Sequence, residues 1–417
     1  MSATNKKNVL YKNRFAIFFF AYAVVYAVAA VNRFVPWEVD DTAIYSFYAV
    51  DYSFGFATKL LPGAIFRFLF RDHADRETAT AFMTAVVLVC FALLAVLLQR
   101  FMSRMPEKRR SSAFLLVLFF LSGAYSFAIF TKTLGLMDTF WLLFALLFFF
   151  FLEHSVLRLL IPLLFALSVL VHNAALICYI PLMSIVLLFR ASVEEDRRRR
   201  AGFFVVLALS LAGAAALFVF VSARETELIV PIDEFHEKLL ENGSDSFYYF
   251  DYALFGNYLG NQYIPEGALD GLSPAMRLIM SAYYRVKLNI GVLFSRGAIH
   301  PLSFLCGLAV LSPVAVLFGR FHLCRFRASG GFLRSFCAWA MTLLFPVIVV
   351  VAIPFSEDIT RWYSHAFIVA FTCVLAVLYY SETDRELFFG LLEPYAGSAW
   401  LKIYCIAYAT LSMYTIY

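Results

Sequence analysis

The stretch ATAFMTAVVLVCFALLAVLLQR, residues 79–100, decides the fold class of this chain. It contains no charged residue before Arg100. As a helix it is long enough to cross the hydrocarbon core of a bilayer, which takes about 20 apolar residues. Because a lipid-embedded backbone must satisfy its own hydrogen bonds, a single apolar run of this length is helical. The stretch therefore predicts a transmembrane helix.

Segments of the same kind recur along the chain. Its residues are 62% hydrophobic and only 15% charged, and the mean hydropathy is +0.79, which excludes a water-soluble globule. We predict an all-α, polytopic transmembrane helical bundle with about eleven spans. The final span could instead be an interfacial or bundle-buried helix, since it is rich in Tyr and Ser. The predicted spans are 15–35, 79–100, 113–131, 139–153, 156–171, 174–189, 202–222, 299–319, 333–353, 364–380 and 398–417.

The basic residues predict how the chain is oriented. Cations within residues 6–14 precede the first span, which lacks a small-residue cleavage site, so it reads as a signal anchor with the N-terminus inside. Alternating from there leaves an excess of Lys and Arg in the inner loops and an excess of acid in the outer ones. The runs 108–110 and 197–200 carry most of this signal. An alternative role for these runs is binding anionic lipid headgroups.

Two outer segments are too long to be simple connectors, and they divide the chain into 1–222, 223–297 and 298–417. In the first, 36–78, the piece from Leu60 to Phe70 is too short and too basic to cross a membrane, and we expect an outward interfacial helix there. The second, 223–297, is a large outer loop rich in Tyr. Its aromatic faces suit sugar rings, or they form an aromatic belt at the interface.

Three carboxylates follow the first span: Glu38, Asp40 and Asp41. Asp41 could simply cap the helix that begins near Thr42, but this does not account for the other two. Clustered carboxylates repel each other, so at least one has a raised pKa or shares a cation. The first state suits a general base that deprotonates a hydroxyl, and the second suits a ligand for a divalent ion.

Threading the spans brings further ionisable residues to the same membrane face, namely Asp138, His172, Asp358 and Arg361. Ionisable groups are costly in membranes and usually functional, so this convergence predicts a site. Simpler roles exist for two of them. Arg361 could pair with a neighbouring carboxylate such as Asp358, and His172 could be a hydrogen-bond partner between helices. Asp138 has only Lys132 as a nearby cation in the sequence.

The sequence lacks the catalytic and ligand-binding motifs that are typical of soluble enzymes. No Cys or His pair has metal-ligand spacing, and neither a phosphate-binding Gly-rich loop nor a G-x-S-x-G elbow occurs. The cysteines fall in predicted spans, apart from Cys324 in an inner loop, so no outer disulfide is expected.

The segment Asp40-Asp41-Thr42-Ala43-Ile44-Tyr45, placed after the first span and before an aromatic-rich outward helix, resembles the acidic motif of GT-C integral-membrane glycosyltransferases. Leu134-Gly135-Leu136-Met137-Asp138 is similar to the second acidic position of that class, and 171–175 is similar to its turn between short helices. The segments 51–56 and 358–362 resemble poorly characterised bacterial membrane proteins linked to surface polysaccharides.

The resemblance implies an activity: transfer of a sugar from a polyprenyl-phosphate-linked donor to a glycan or lipid-linked acceptor at the outer face of a bacterial plasma membrane. Asp41 or Asp40 would be the base, with Asp138 as the second catalytic carboxylate. Arg361 or Lys132 would neutralise the leaving phosphate. No cofactor is implied other than a divalent metal ion held by the carboxylates. The substrate-binding candidates are Glu38, Tyr45, Tyr48, Lys132, His172, Asp358 and Arg361.

Two other functions fit the same class of protein. A polysaccharide polymerase or ligase would transfer a whole lipid-linked glycan and would rely on Arg and His of the 223–297 loop. A transporter of lipid-linked glycans would show charged or broken helices at mid-membrane and an internal repeat, and neither is evident in the sequence.

Overall fold

The computed structural model describes most of the helical chain. The described ranges are 13–31, 45–53, 59–71, 75–122, 134–224, 299–328, 331–352 and 359–396, with isolated residues at 39 and 130, between 234 and 287, and between 398 and 404.

Within these ranges the chain is helical and contains no strand, which confirms the all-α class. Short 3-10 turns at Leu157–Leu160 and Asn173–Leu176 flank the seventh helix. The helices are α1 (Arg14–Val31), α2 (Ser46–Ala49), α3 (Leu60–Phe70), α4 (Arg76–Arg104), α5 (Glu107–Ser122), α6 (Asp138–Glu153), α7 (Ile161–Val171), α8 (Tyr179–Val193), α9 (Arg197–Arg224), α10 (Ile299–Ala328), α11 (Phe332–Ala352), α12 (Ile359–Tyr380) and α13 (Glu382–Ala396).

Five helical segments in the described chain are long and apolar enough to cross a membrane: Arg76–Arg104, Ala174–Val193, Arg197–Val221, Phe332–Val351 and Arg361–Tyr380. An integral membrane protein is therefore supported, but the expected count of about eleven spans is not confirmed. Several of the other predicted spans form shorter helices. An 11-residue helix such as α7 is only about 16 Å long, well short of the bilayer core. The span predicted at 398–417 lies almost wholly outside the described residues.

Polar contacts fix how the first helices pack. The backbone N–H of Ala16 donates to Gln99 Oε1 at 3.0 Å, and the hydroxyl of Tyr26 donates to the carbonyl of Ser122 at 2.8 Å. The start of α1 therefore lies beside the end of α4, so the two helices run antiparallel. The carboxylate of Asp75 caps α4 by accepting from Thr78 N–H at 2.7 Å.

Helix α12 occupies the centre of the bundle. Of its apolar window 83% is buried inside the protein, whereas the corresponding window of α9 is only 28% buried. Around α12 pack α4, α8, α10, α11 and α13. Polar side chains on α12 are thus forced to find partners within the protein, whereas α9 presents a broad apolar face to its surroundings.

The bundle has two ends, named here by their residues. The Asp138 end contains the starts of α6 and α12, and the Arg104 end contains the last turns of α4 and α6, where Arg104 and Glu153 are 3.7 Å apart. Helix α13 closes the Arg104 end, and its Arg385 donates to the carbonyl of Arg104 at 3.2 Å. The segment 381–395 lies between the predicted spans 364–380 and 398–417 and is helical. Helix formation is favoured there because Ser381 Oγ accepts from Asp384 N–H at 3.2 Å and acidic residues occupy the first turn.

Helices α2 and α3 form a small hairpin at the Asp138 end. The helix predicted from Leu60 to Phe70 is present with those bounds. Gly63 allows the close packing, because a Cβ there would lie 2.0 Å from the carbonyl oxygen of Val50 and 2.5 Å from that of Phe47. The backbone N–H of Lys59 donates to the carbonyl of Leu170 at 2.9 Å, which joins the hairpin to the end of α7.

Candidate functional site

Asp138 is the first residue of α6 and is almost completely buried, with 2% of its surface exposed. The chain enters α6 through a tight turn in which Gly135 adopts a φ of +98°, a conformation that favours glycine. An acidic residue in the first turn is stabilised by the unpaired N–H groups of the helix. The local sequence thus places a carboxylate, pointing inward, at one end of the bundle.

Two side chains of α12 bind this carboxylate. Arg361 Nη2 donates to Asp138 Oδ1 at 2.6 Å, and Arg361 Nε donates to Oδ2. His365 Nε2 lies 2.9 Å from Oδ2, and since an ionised carboxylate only accepts hydrogen bonds, Nε2 is the donor. Arg361 and His365 are four residues apart and therefore share one face of the helix. Both oxygens of Asp138 are engaged by α12.

The network continues to α8 through the second nitrogen of the histidine. The hydroxyl of Tyr179 lies 3.1 Å from His365 Nδ1. Both residues are buried, with 0% of each exposed. A chain of polar groups therefore crosses from α6 through α12 to α8, inside an otherwise apolar bundle.

Aromatic rings enclose this network. The ring of Trp141 lies 5.9 Å from the rings of both His365 and Tyr179, and its Nε1–H donates to the carbonyl of Ser168 at 3.2 Å. The ring of Trp362 lies 6.1 Å from that of His365. These walls limit the access of water, so charge interactions inside them are stronger than at a solvated surface.

The members of the ion pair differ in exposure. The Arg361 side chain is 19% exposed, whereas the side chain of Asp138 is 2% exposed and that of His365 is 1% exposed. Burying a carboxylate is costly unless it is paired and hydrogen-bonded, and here it has both forms of compensation. The arrangement holds a guanidinium in a fixed orientation and leaves it as the group nearest to the surface.

His172 lies close to this network and terminates α7. Its Nδ1 accepts the backbone N–H of Ala174 at 3.0 Å and so caps the following 3-10 turn. Its ring packs edge-on against Trp141 at 5.5 Å. The histidine is only partly buried, so it combines a turn-capping contact with some access to the surface.

The first outer segment is attached to the same end of the bundle. The backbone N–H of Val39 donates to Thr80 Oγ1 near the start of α4, at 3.0 Å. The hydroxyl of Tyr48 donates to the carbonyl of Gly135 at 2.5 Å, three residues before Asp138. Tyr48 is 0% exposed and Tyr45 is 2% exposed, so both side chains are buried at this end of the bundle.

Several predicted site residues lie outside the described chain: Glu38, Asp40, Asp41, Lys132 and Asp358. Of the predicted residues that are described, Asp138 and Arg361 form an ion pair. The ring of His172 packs against Trp141, whose ring in turn packs against His365 of the network. Among the described residues no group of three or more His, Cys, Asp or Glu side chains could hold a metal ion.

Sequence reasoning missed three members of the site: His365, Tyr179 and Trp141. His365 lies four residues after Arg361, which signals a shared helix face. However, it falls inside the apolar segment 364–380, which predicts a membrane span and no site. Tyr179 and Trp141 lie inside apolar segments, where their polar atoms give no sequence signal of a specific partner.

A long apolar cleft adjoins the network. It runs between α4, α5, α6, α8 and α12 and has a free volume of about 90 Å³. Tyr179 belongs both to its wall and to the polar network, whereas Arg100 and Glu153 line it at the Arg104 end. The remaining walls are almost entirely Leu, Phe, Ile and Ala. The cleft has the composition expected of a hydrocarbon-binding site.

Comparison of the chain with protein-family models, with curated proteins and with solved structures finds no match in any of the three.

Proposed function

We propose that this chain is a membrane glycosyltransferase of the GT-C type. It would transfer a sugar from a polyprenyl-phosphate-linked donor to a glycan or lipid-linked acceptor. The observation that carries the proposal is the guanidinium of Arg361, held by both oxygens of the buried Asp138 in a network whose Tyr179 lines an apolar cleft. A lipid-linked phosphate needs a cation for its headgroup and an apolar surface for its chain, and the network and the cleft meet at Tyr179.

Arg361 would bind the phosphate of the donor, because its planar guanidinium suits bidentate contact with phosphate oxygens. Asp138 then acts as a positioning residue and not as the catalytic base, since its oxygens already accept bonds from Arg361 and His365. The base would be Asp40 or Asp41, which follow Val39 directly in the sequence.

In the proposed reaction, the base removes the proton of the acceptor hydroxyl as its oxygen attacks the anomeric carbon of the donor sugar. The new C–O bond forms while the bond from the anomeric carbon to the phosphate oxygen breaks, and polyprenyl phosphate leaves with the electron pair. Arg361 stabilises the added negative charge of this leaving group. A single displacement inverts the anomeric configuration.

The proposal includes a placement in the cell. About eleven helices would cross a bacterial plasma membrane with the N-terminus in the cytoplasm, and the Asp138 end would face outward. The excess of basic residues in the loops of the Arg104 end supports this orientation. Glu38, Lys132, His172 and Asp358 would line the sugar or phosphate, and a divalent ion shared by the carboxylates is a further element of the proposal.

The test is mass spectrometry of lipid-linked saccharides and surface glycan from host cells. The cells carry the intact chain, no chain, the double variant Asp40→Asn with Asp41→Asn, or Arg361→Gln. We expect the same single sugar to be missing without the chain and in both variants, with Arg361→Gln lowering transfer at least about 100-fold. The matched control is Arg325→Gln, which removes a more deeply buried arginine, also paired with an aspartate, at the opposite end.

Other results would contradict the transferase. Complete repeat units that accumulate on lipid would indicate a polymerase, and complete units that stay on the inner leaflet would indicate a transporter. Normal glycan from the Asp40/Asp41 double variant would refute the assigned base.

A further inference from the structure

A second recess lies at the Arg104 end, far from the Asp138 network. It is formed where α8 ends and where α9 and α11 begin, and it has a free volume of about 360 Å³. Helix α8 runs from Tyr179, at the network, to Ser192, at this recess, which separates the two sites by roughly 20 Å along the helix axis. The residues that line the recess are Ser192, Arg200, Gly331, Leu333 and Arg334.

The recess is positively charged. Two of its lining residues are arginines, and none of the described residues that line it is acidic. The nearby carboxylate of Glu194 is bound by Arg190 at 2.9 Å, and the Arg200 guanidinium donates to the backbone carbonyl of Glu194, at 2.5 Å from its Nη2. The N-terminal turn of α11 adds partial positive charge, because its first N–H groups lack partners within the helix. The start of α9 is capped instead, since the carboxylate of Asp196 accepts from the N–H of Arg198 at 2.7 Å.

Arg334 gives a separate indication that the recess suits an anion. Its Nε is buried, yet it has no hydrogen-bond acceptor among the described residues. A buried donor without a partner is costly and uncommon in folded proteins. An anionic oxygen placed in the recess would supply that acceptor.

The surface beside the recess is aromatic and exposed. Phe332 is 85% exposed, Phe336 39% and Trp339 54%, all on α11. Their rings follow one another, with centroids 6.3 Å apart from Phe332 to Phe336 and 6.2 Å from Phe336 to Trp339. Exposed aromatic rings next to arginines at a helix end are typical of the level where lipid headgroups meet acyl chains.

We propose that this recess binds the phosphate group of an anionic phospholipid from the leaflet at the Arg104 end. Arg200 and Arg334 contact the phosphate oxygens, and the acyl chains lie along Phe332, Phe336 and Trp339. Basic pockets between membrane helices bind anionic headgroups in this way. The site does not depend on the proposed transferase activity, so each proposal can fail without the other.

The experiment measures phospholipid binding to the purified, delipidated full chain by native mass spectrometry. The probes are phosphatidylglycerol, phosphatidylcholine and inorganic phosphate. We expect phosphatidylglycerol to bind in preference to phosphatidylcholine, and inorganic phosphate to compete poorly because it cannot use the aromatic surface. The variant Arg200→Gln with Arg334→Gln should weaken phosphatidylglycerol binding about tenfold or more, since each arginine near an anionic surface contributes roughly fivefold.

The matched control is Arg198→Gln with Arg199→Gln, which removes the same number of charges from the start of α9. These two arginines are exposed and do not line the recess. We expect this control to bind phosphatidylglycerol within about twofold of the unaltered chain. Arg334→Gln alone, which leaves the Arg200 contact to Glu194 intact, should also weaken binding and guards against misfolding of the double variant.

Three results would overturn the proposal. Equal loss in the control and the test variants would mean that only general surface charge attracts the lipid. Displacement of phosphatidylglycerol by low concentrations of inorganic phosphate would identify a site for a small anion instead. Equal binding of the two lipids by the unaltered chain would mean that the recess does not recognise the headgroup charge.

Discussion

Each end of this bundle contains a hydrogen-bonded cluster of an arginine, an aspartate and a histidine. The two ends differ in which member of the ion pair is the more exposed. At the Asp138 end the aspartate is buried, with 2% of its side chain exposed, and Arg361 is the more accessible partner at 19%. At the Arg104 end Arg325 is buried, with 3% of its side chain exposed, and Asp384 is the more accessible partner at 15%.

The histidines are reversed as well. His365 donates to the carboxylate of Asp138, whereas His322 Nδ1 lies 3.0 Å from Arg325 Nη1 and so accepts from the guanidinium. Arg325 also stacks over the ring of Phe189 at 4.9 Å. The first cluster directs a cation towards the surface, where it can meet a ligand. The second encloses a cation between α10, α11 and α13 and thereby stabilises the fold.

The largest effect is expected from Asp138→Asn. This change leaves the buried end of the Arg361 guanidinium without its anion, and removing one partner of a buried pair costs about 3–5 kcal/mol. The free energy of unfolding, measured by denaturant titration in detergent, should fall by that amount. Asp384→Asn should cost less, about 1–3 kcal/mol, because water reaches this carboxylate and the buried Arg325 keeps its contacts with His322 and Phe189. An equal loss of unfolding free energy in the two variants would show that the two ion pairs do not differ in this way.

The variant Arg361→Lys separates function from stability. Lysine keeps the charge but cannot make the bidentate contact, so we expect sugar transfer to fall about 100-fold. The matched change Arg325→Lys should leave turnover within about twofold while it lowers the free energy of unfolding by roughly 1–3 kcal/mol. Transfer of lipid-linked sugar in nanodiscs measures the first quantity and denaturant titration the second. Equal loss of turnover in the two variants would contradict the assignment of Arg361 to the phosphate.

Gly63→Ala tests whether the α2–α3 hairpin supports the Asp138 end. A methyl group would meet backbone oxygens of Val50 and Phe47, which cannot move without displacing the hairpin, so we expect a cost of about 1–3 kcal/mol. Gly202→Ala is the control, because nothing lies within 4 Å of its Cβ position on α9. The control should stabilise the protein by about 0.5–1 kcal/mol, since alanine is the better helix former. A neutral Gly63→Ala would show that the hairpin is not packed as described.

The smallest effect is expected from Tyr179→Phe. Removing the hydroxyl takes away one contact to His365 and should cost about 1 kcal/mol of stability. It should also lower sugar transfer by a few fold, because His365 then orients Asp138 and Arg361 less firmly. Tyr26→Phe, which removes a comparable buried hydrogen bond to Ser122, is the control and should leave transfer unchanged. If sugar transfer is unchanged in Tyr179→Phe, the functional network consists only of Asp138, Arg361 and His365.

The sequence predicts the fold class well because apolar runs such as 79–100 have few alternatives in lipid. It also predicts that Asp138 and Arg361 lie at the same membrane face, since ionisable groups at the ends of apolar helices are rare and informative. It does not predict that the two residues bind each other, because they are 223 residues apart in the chain. The sequence also offers each of them an oppositely charged neighbour, Lys132 for Asp138 and Asp358 for Arg361.

Other features depend on tertiary packing. His365 was read as part of an apolar span, yet burial on the central helix forces it to find the Asp138 carboxylate. The number of spans could not be fixed from hydropathy alone, because α7 and its flanking 3-10 turn divide one apolar segment into short pieces. Helix α13 is amphipathic and polar, so no apolar run in the sequence signals it.

The separation of Asp138 and Arg361 in the chain also has a consequence for biosynthesis. A ribosome that has just completed α6 must add most of those 223 residues before α12 can supply the cation. Until then the nascent chain carries an acidic side chain at a position that is closed to water in the finished protein. The N-terminal helices therefore cannot reach their final packing one by one as they leave the translocon. Assembly is completed late, and chains truncated before α12 would expose an uncompensated carboxylate that quality-control proteases could recognise.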